Sequence, residues 1–336
     1  MTTLSDVAKH AGVSVSTASR VLSGQGYVSQ ASRIRVVDAA EMLNYAPNHM
    51  ARSLRLNRTH IIGLVVADIE NFFYSQIAKG VTSVAREHGY HVVLANSEEN
   101  RKLESQQIQM LANLRVDGLI FTPTGGNRRQ LESSFISSGI PVIQVDRRVR
   151  GLPADAVLAD NVGGAQQAVE ALLDAGHTRI GILAGSQLVT TGKARLAGYR
   201  RALEARGIAF DESLVGRGLF TRDSALKDAH DILCQRPRPT ALFAANNILA
   251  EGAARALVEL RLVAPKDISI VAFDDAPWMS AIAHPLTTVD QPAREAGRVA
   301  ATLLLDRLSG GQGAEPQTVV LSPRLISRNS VGPPRR

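Results

Sequence analysis

The sequence predicts a two-part protein of 336 residues, with a small all-α segment at the N-terminus and a larger α/β part built on parallel sheets. Up to residue 46, apolar side chains recur at helical spacing between capping residues and a turn glycine. From Ile61 onward, short apolar runs alternate with amphipathic stretches, which is the pattern of parallel strands covered by helices on both faces. Positive charge is concentrated at the start, since residues 1–58 hold seven Lys and Arg against three Asp and Glu, while the remainder holds 31 against 28. This distribution of charge is typical of a polyanion-binding module attached to a nearly neutral domain.

Composition excludes several classes of protein. A chain with 45% apolar residues can bury a large core. Cys234 is the single cysteine, so no internal disulfide can form, and no Cys/His cluster has zinc spacing, which favours a reducing compartment. No run approaches the roughly 18 consecutive apolar residues of a membrane span, and polar residues follow Met1 where a signal peptide would be basic and then apolar. We therefore expect a cytoplasmic protein that makes no use of a membrane.

The first helix is predicted from Leu4 to about Ala11. Thr3 is its expected N-cap, and Asp6, three residues later, is the reciprocal partner of a capping box. Gly12 supplies the left-handed residue that ends such a helix. A tight turn therefore follows the first helix.

A second helix begins after Ser14, which is placed to cap it. Its inward side chains are predicted to be Ala18, Val21 and Leu22. Its outer surface is short, small and mostly polar, which suits the major groove of duplex DNA, and consists of Val15, Ser16, Ser19 and Arg20. A third helix, capped by Ser29, has a predicted apolar stripe of Ile34, Val37, Ala40 and Leu43. From spacing alone, a DNA reader and a protein-interaction module both stay open.

Two segments then carry a resemblance to a known family. T-L-S-D-V-A-K-H-A-G-V-S-V-S-T-A-S-R-V-L-S-G (3–24), and V-S-Q-A-S-R-I-R-V (28–36) with L-N-Y-A-P-N (43–48), closely resemble the headpiece of the lactose repressor family of bacterial transcriptional regulators. Ala18 stands where valine is common in that family and Ser32 where threonine is common, and we expect both to leave the fold unchanged. The resemblance implies a helix-turn-helix headpiece and a sequence-specific DNA-binding repressor.

Carried over to this sequence, the resemblance implies that base edges in the major groove are contacted by Val15, Ser16 and Arg20. Contacts to phosphates, which position the protein without specifying a sequence, fall to Thr3, Ser14, Ser19, Ser23 and Tyr45. It also implies a hinge helix that contains Asn48, orders on DNA beside its twin and pushes Leu54 into the minor groove. A solvated linker, with Leu54 against the core, is the alternative.

Seven strands are predicted in the larger part, over 61–68, 91–96, 117–122, 141–146, 179–185, 240–246 and 268–275. Most of them end on a polar residue. In open parallel sheets ligands bind beyond the carboxyl ends of the strands. We therefore expect the polar residues at these ends to lie together around a small-molecule site, namely Asp68, Asn96, Thr122, Asp146, Asn246 and Asp274. Asp and Asn at strand ends can equally cap the next helix, and that alternative stays open for each of them.

The resemblance covers essentially the entire chain. Its further motifs are N-F-F-Y (71–74), T-G-K-A-R-L-A-G-Y (191–199), F-A-A-N-N (243–247), F-D-D-A-P-W (273–278) and P-L-T-T-V-D-Q-P (285–292). It implies a two-lobed α/β sensor domain like periplasmic sugar-binding proteins, with three crossovers near residues 160, 290 and 322. The implied domains are a helix-turn-helix domain (1–46), a hinge helix and linker (47–59) and an effector-binding and dimerisation domain (60–330). Its N-lobe is 60–160 with 291–321, and its C-lobe is 161–290 with 322–330.

The same resemblance implies an effector site. Arg195 would clamp oxygens, Asn246 and Asp274 would bond hydroxyls, and the further candidates are Phe73, Tyr74, Asp146, Thr191 and Trp278. A structural salt bridge is the alternative role for Arg195, and buried packing is the alternative for Trp278. Asn247 departs from the family's usual aspartate. A sugar or sugar derivative is the expected effector, although Lys193 and Arg195 would also suit a carboxylate or phosphate.

Two rival classes lack their motifs. The segment 185–194 resembles a phosphate loop only superficially, because its glycine spacing is wrong and Lys193 precedes Ala194 rather than Ser or Thr. No Gly-x-Ser-x-Gly elbow occurs, so we expect no enzyme, no cofactor and no metal. A transport-associated binding protein would share the lobes but not the headpiece. The expected partners are double-stranded DNA with an approximately palindromic operator, a small-molecule effector and a second copy of the chain, as a dimer because no heptad repeat follows 323–328.

Overall fold

The structure is a computed structural model that describes residues 2–23, 26–45, 58–125, 127–310 and 315–335. The chain divides into two compact units, Met1–Thr59 and His60–Arg336. The predicted hinge helix, with Asn48 and Leu54, lies outside the described residues. Among the helices of the described ranges, none has both the length and the apolar character needed to cross a membrane.

The first unit is a helical headpiece with three described helices, α1 (Leu4–Ala11), α2 (Val15–Ser23) and α3 (Gln30–Met42). The predicted capping box is present at α1, because the Asp6 amide donates to Thr3 Oγ1 at 3.3 Å and the Thr3 amide donates to Asp6 Oδ2 at 2.8 Å. Gly12 follows in the left-handed conformation, with φ of 64°. The predicted helix-turn-helix is therefore confirmed at its first helix and turn.

The headpiece core corrects one prediction about α3. Ile34 and Val37 were expected to face inward, but they are 54% and 40% exposed. The buried side chains of α3 are Val36, Ala39 and Ala40. These positions, with Leu43, follow the i, i+3, i+4, i+7 spacing of one helical face. The prediction is therefore wrong for Ile34 and Val37 and confirmed for Ala40 and Leu43, which pack in or against the headpiece core.

The second unit contains two mostly parallel sheets. The first sheet has the order β11-β5-β4-β3-β1-β2, and its strands are β1 (Ile61–Val66), β2 (His91–Asn96), β3 (Gly118–Phe121), β4 (Val142–Val145), β5 (Asp155–Ala159) and β11 (Thr318–Leu321). The second has the order β12-β10-β9-β8-β6-β7, and its strands are β6 (Ile180–Leu183), β7 (Val215–Gly216), β8 (Ala241–Ala244), β9 (Ser269–Phe273), β10 (Thr287–Asp290) and β12 (Arg324–Ile326). Only the pairing of β10 with β12 is antiparallel among the described strand pairs.

Helices connect the strands of both sheets. They are α4 (Phe72–Glu87), α5 (Arg101–Asn113), α6 (Arg128–Ser134), α7 (Asn161–Asp174), α8 (Thr190–Ala205), α9 (Arg222–Leu233), α10 (Asn247–Glu259), α11 (Pro277–Ser280) and α12 (Ala293–Leu308). Short 3₁₀ turns occur at Ile136–Ser138 and Glu212–Leu214. We call the first sheet with α4, α5, α6 and α12 lobe 1, and the second sheet with α7 to α11 lobe 2.

The chain passes between the lobes three times. It leaves lobe 1 between β5 and α7, returns between β10 and α12, and leaves again between β11 and β12. These passages lie close to residues 160, 291 and 322, so the predicted two-lobed α/β architecture with three crossovers is confirmed. Each lobe buries its own apolar core, with Val, Ile, Leu and Phe of the strands at its centre.

Two glycines allow α4 and α12 to pack closely in lobe 1. A Cβ added to Gly80 would overlap the carbonyl oxygen of Arg294, and one added to Gly297 would overlap the carbonyl oxygen of Ile77. The helix backbones are therefore in direct contact at this crossing. The crossing matters for function because α4 begins beside the cleft between the lobes and α12 begins at a crossover.

The Gly80→Ala variant should destabilise the second unit, because its new methyl group has to push the two backbones apart. Overpacking of this kind costs about 1–3 kcal/mol. Urea unfolding followed by fluorescence measures it, since Trp278 is the single tryptophan and reports on this unit. Thr82→Ala, at an exposed position of the same helix, is the control. An unfolding midpoint of Gly80→Ala equal to that of the control would show that the crossing is not tight.

Candidate functional site

The first candidate surface is the exposed face at the start of α2. Ser14 caps the helix, because its Oγ accepts from the Thr17 amide at 3.1 Å and lies 2.8 Å from Ser16 Oγ. Ala18 and Val21 are buried in the headpiece core, which turns the opposite face outward. Val15 is 45% exposed although it is apolar. An exposed apolar side chain at a capped helix start can meet the thymine methyl group of a base edge.

The other DNA-contact candidates fall into three groups. Ser16 and Arg20 are exposed and Ser19 is partly exposed, at positions that share the outward face with Val15. Thr3 is exposed at its capping box, and Tyr45 is partly buried against the headpiece core. Outside the described residues lie the side chain of Ser23 and the whole of Asn48 and Leu54. Each of these contacts stays a prediction.

The second candidate site lies at the carboxyl ends of the strands in the second unit. Asp146 follows β4 in lobe 1, and Asp274 follows β9 in lobe 2. Both have a left-handed backbone, with φ of 68° in each case. Non-glycine residues adopt this conformation at a cost and cluster at functional sites. The two lobes thus present equivalent strained carboxylates.

Asp146 is buried and only partly satisfied. The Tyr74 hydroxyl donates to its Oδ2 at 3.1 Å. Burial raises the pKa of the Asp146 carboxyl, repulsion by Asp274 adds to this, and Arg147 and Arg195 oppose it. Because Asp274 and Arg195 belong to lobe 2, these interactions reach across the cleft. Burial also raises the pKa of the Tyr74 phenol well above its usual range, so Tyr74 keeps its proton and acts as a donor.

Arg195 is a buried cation held by neutral groups. It is 3% exposed, and its Nε donates to Asn161 Oδ1 at 2.8 Å while a terminal nitrogen donates to the Ala245 carbonyl at 2.5 Å. Its guanidinium carbon lies 3.9 Å from the centre of the Phe273 ring. Among the described residues no carboxylate lies within ion-pair distance of it. The salt-bridge alternative for Arg195 is therefore not what the structure has.

A second arginine spans the cleft from lobe 1. Arg147 makes a bidentate ion pair with Glu99, at 2.6 and 2.7 Å. Its guanidinium carbon also lies 5.5 Å from the ring centre of Phe220, which belongs to lobe 2. Sequence reasoning missed Phe220, because it follows a strand of only two residues, β7, that no alternation marks.

The described part of the chain contains five buried side-chain atoms without a hydrogen-bond partner. They are Thr122 Oγ1, Asp146 Oδ1, Arg147 Nε, Asn247 Oδ1 and Trp278 Nε1. Arg147 Nε lies 3.5 Å from Asp146 Oδ2, which is an ion-pair distance but not a hydrogen bond. All five follow the carboxyl end of a strand, and three belong to lobe 1 while two belong to lobe 2. A buried polar atom costs free energy unless it forms a hydrogen bond. The strand ends of the two sheets therefore hold several hydrogen-bonding groups that a polar ligand could satisfy.

A cavity of about 630 Å³ opens between the lobes, which is the size of a small-molecule site. Phe73 and Asp274 line it, as the sequence predicted for an effector site. Asn247, which the sequence analysis noted as a departure from aspartate, also lines it. Sequence reasoning missed several other lining residues, among them Phe72, Gln76, Gln291 and Arg294. Gln291 donates to Asp274 Oδ1 at 2.5 Å, and its place beside a strand end in the P-L-T-T-V-D-Q-P motif could have signalled it.

The remaining effector candidates do not line this cavity. Asn246 caps α10, with its Oδ1 accepting from the Leu249 amide at 2.7 Å, so the capping alternative applies to that oxygen. Thr191 is buried in the first turn of α8, one turn before Arg195. Trp278 is half-buried and packs against the core of lobe 2. Their contacts with a ligand stay predictions.

Comparison with known proteins supplies the family. Residues 3–48 match the family model described as bacterial regulatory proteins, lacI family, and residues 169–331 match a periplasmic binding protein-like domain. The HTH-type transcriptional regulator DegA of Bacillus subtilis is 36% identical, over 99% of this chain and 98% of its own length. The ribose operon repressor of Escherichia coli is 34% identical, over 98% of this chain and 100% of its own length.

Solved structures give the same result over the whole length. A lac repressor dimer bound to operator and the anti-inducer ONPF has a TM-score of 0.85 and 30% identity, covering 98% of this chain and 99% of that chain. The transcriptional regulator CelR in complex with cellobiose has a TM-score of 0.74 and 34% identity, covering 98% of this chain and 100% of that chain.

The Asp146→Asn variant tests the buried carboxyl through the dependence of stability on pH. In the folded protein, burial raises the pKa of the Asp146 carboxyl above its ordinary value of 3.8. Between 3.8 and the raised pKa the folded state binds more protons than the unfolded state, so stability falls as pH rises through that window. The variant lacks this fall. We subtract the melting temperature of the native protein from that of the variant at each pH. This difference should be more positive at about pH 7 than at about pH 4. Asp231→Asn, at an exposed position, is the control, and a pH-independent difference for Asp146→Asn would refute the expectation.

Proposed function

The chain belongs to the lacI family of bacterial regulatory proteins, and from this premise we propose that it is a transcriptional repressor controlled by a small-molecule effector. The headpiece reads an operator in double-stranded DNA, and the two lobes close on the effector. The observation that carries the sensor half is the set of buried, unpartnered polar atoms at the strand ends of both lobes. One of their residues, Asn247, lines the cavity of about 630 Å³.

The DNA-binding half rests on the outward face of α2. Its small exposed side chains, Val15 and Ser16, leave room for the helix to approach base edges, and Arg20 adds a long donor. We propose that two copies pair through the sensor lobes and present two such helices to an approximately palindromic operator. A similar protein, the lac repressor, has been solved as a dimer bound to operator. The proposed domains are 1–46 for DNA binding, 47–59 for the hinge and 60–330 for the sensor.

The effector is proposed to be a sugar or a sugar derivative. Asp146 and Asp274 can accept hydrogen bonds from hydroxyl groups, while Arg195 can donate to oxygens of the same ligand. Two similar proteins bear names that point to sugars, the ribose operon repressor and the cellobiose complex of CelR. The protein then acts in the cytoplasm as a regulator and carries out no catalysis.

Control of DNA binding follows from lobe closure. A ligand shifts the balance between two lobe arrangements only by the difference in its affinity for them. The strand-end groups of both lobes must reach the ligand together, so the closed arrangement binds it more tightly. The headpieces receive this shift through the start of the sensor domain, and release of the operator by the effector is the proposed direction.

Arg20→Ala tests the operator half. On a duplex selected from a random library, we expect the variant to lose about 1–3 kcal/mol of specific binding, the value of a good base contact. Its affinity for random duplex should fall less, and that affinity should drop steeply with salt, as phosphate binding does. Fluorescence anisotropy measures both affinities. Lys79→Ala, an exposed lysine of the sensor unit, is the control. Equal losses on selected and random duplex would contradict a base contact by Arg20.

Arg195→Ala tests the effector half. A thermal-shift screen of sugars, sugar acids and nucleobases first identifies a stabilising compound. Removing one partner of a buried charged contact costs about 2–5 kcal/mol, so the dissociation constant of that compound should rise at least about 30-fold, as measured by calorimetry on folded variant. Arg201→Ala, an exposed arginine further along the same helix, is the control. A dissociation constant that Arg195→Ala leaves unchanged would remove Arg195 from the site.

A further inference from the structure

Two contacts join the lobes near the start of α4, one made by the first residue of α10 and the other by the first residue of α9. The inner contact is a hydrogen bond from Asn247 Nδ2 to Asn71 Oδ1, at 2.9 Å. Asn71 is 6% exposed and Asn247 is 2% exposed, so this bond is buried. The outer contact is made by Arg222, whose guanidinium lies 3.2 Å from Glu70 of lobe 1 and also bonds Glu251 of lobe 2. The side chains of Arg222 and Glu70, which form the link between the lobes, are 48% and 71% exposed.

The directions of the two amide groups are fixed by their neighbours. Asn71 is the N-cap of α4, and its Oδ1 accepts from the Phe73 amide at 2.9 Å. That oxygen therefore has to face the backbone of α4, and it accepts the bond from Asn247 as well. Asn247 must then present its Nδ2 to lobe 1, because two carbonyl oxygens would repel each other. Its own Oδ1 is left without a partner among the described residues.

Asn247 also lines the cavity between the lobes, together with Asp274 of its own lobe and Phe73 of the other. One side chain thus takes part in the lobe-to-lobe contact and in the wall of the proposed effector site. The bond can exist only while the two lobes are close, since its donor and acceptor belong to different lobes.

We propose that Asn247 is a positioning residue that holds the lobes in the arrangement of this structure, here called closed, through its hydrogen bond to Asn71. This bond is formed by the chain itself and sets the balance between open and closed lobes before any effector binds. Its use in controlling operator affinity rests on the proposed function, whereas the bond and its effect on the lobes do not. The inner contact outweighs the outer one, because exposed ion pairs contribute little, whereas a buried hydrogen bond is shielded from competition by water.

The decisive substitution is Asn247→Asp, which keeps the shape of the side chain and removes the donor. A carboxylate at the first residue of α10 is favourable for the helix itself, so the variant should fold. In the closed arrangement, however, it would set a carboxylate against Asn71 Oδ1. The lobes of the variant should therefore separate more readily.

Rescue is possible by changing the acceptor into a group that can also donate. A serine hydroxyl is a good N-cap that can accept from the Phe73 amide, and it can donate to a carboxylate at the same time. The double variant Asn71→Ser/Asn247→Asp should therefore regain closure that Asn247→Asp loses. A role of residue 247 in the stability of α10 alone would give no such rescue.

The interlobe distance measures closure directly in the full-length protein. Cys234, the native cysteine, is exposed on lobe 2, and Asn113→Cys adds an exposed site on lobe 1 at the end of α5. Spin labels on the two thiols give the distance distribution by pulsed electron paramagnetic resonance, with no DNA and no sugar added. All variants carry Asn113→Cys.

We expect Asn247→Asp to lower the closed-to-open ratio about tenfold, the effect of losing one buried hydrogen bond. The double variant should recover part of this loss, and Glu70→Gln, which weakens the outer contact, should change the ratio less than Asn247→Asp. A distribution of Asn247→Asp that superimposes on that of the unchanged protein overturns the proposal, and so does a double variant no more closed than Asn247→Asp. Because no DNA or effector enters the experiment, its failure would leave the proposed function untouched.

Discussion

Parallel strands bring their carboxyl ends to one edge of a sheet, and in this protein two such edges face each other across a cleft. The residues at these edges are polar, buried and drawn from both lobes. Their hydrogen-bonding groups cannot all be satisfied within the chain, as the unpartnered atoms of Thr122, Asp146 and Trp278 show among the described residues. Ligand binding by the sensor unit depends on this constraint, since an unpartnered buried polar group carries a free-energy penalty that a hydrogen-bonding ligand removes.

The two lobes meet this constraint in related ways. Each places an aspartate in the left-handed conformation directly after a central strand, Asp146 in lobe 1 and Asp274 in lobe 2. Each carboxylate is held by a neutral donor, the Tyr74 hydroxyl in one case and the Gln291 amide in the other. The buried cation of the site, Arg195, is likewise held by an amide oxygen, a backbone carbonyl and an aromatic face. Among the described residues, Asp274 and Arg195 have no counter-charge at ion-pair distance, and Asp146 has Arg147 at 3.5 Å. These charged groups are well placed to bind a polar molecule between the lobes.

Local features of the fold could be predicted from the sequence. The capping box of Thr3, the turn at Gly12 and the strands that end at Asp146 and Asp274 depend on residues close together in the chain. The buried face of α3 was assigned correctly at Ala40 and Leu43 and wrongly at Ile34 and Val37, because its apolar residues are compatible with two adjacent faces and only packing against α1 and α2 decides between them. Phe220 and Gln291 were missed for a different reason. Their roles depend on partners such as Arg147 and Asp274, which the topology brings close and the spacing does not.

Contacts between the lobes were the least predictable part. Asn71 and Asn247 lie 176 residues apart, and neither residue alone signals that the other will be its partner. The departure of Asn247 from aspartate was visible in the sequence, but its meaning was not. Only the three-dimensional arrangement shows that an amide at this position can donate to the opposite lobe.

The central claim is that the cleft and the headpiece are thermodynamically coupled in one regulator. The most direct test is a linkage measurement with a compound that binds the cleft and an operator duplex. The operator affinity is measured with and without the compound, and the affinity for the compound is measured with and without the operator. Coupling requires that the compound change the operator affinity by the same factor by which the operator changes the affinity for the compound, and that this factor differ from one. A compound that binds in the cleft and leaves operator affinity unchanged would contradict the claim.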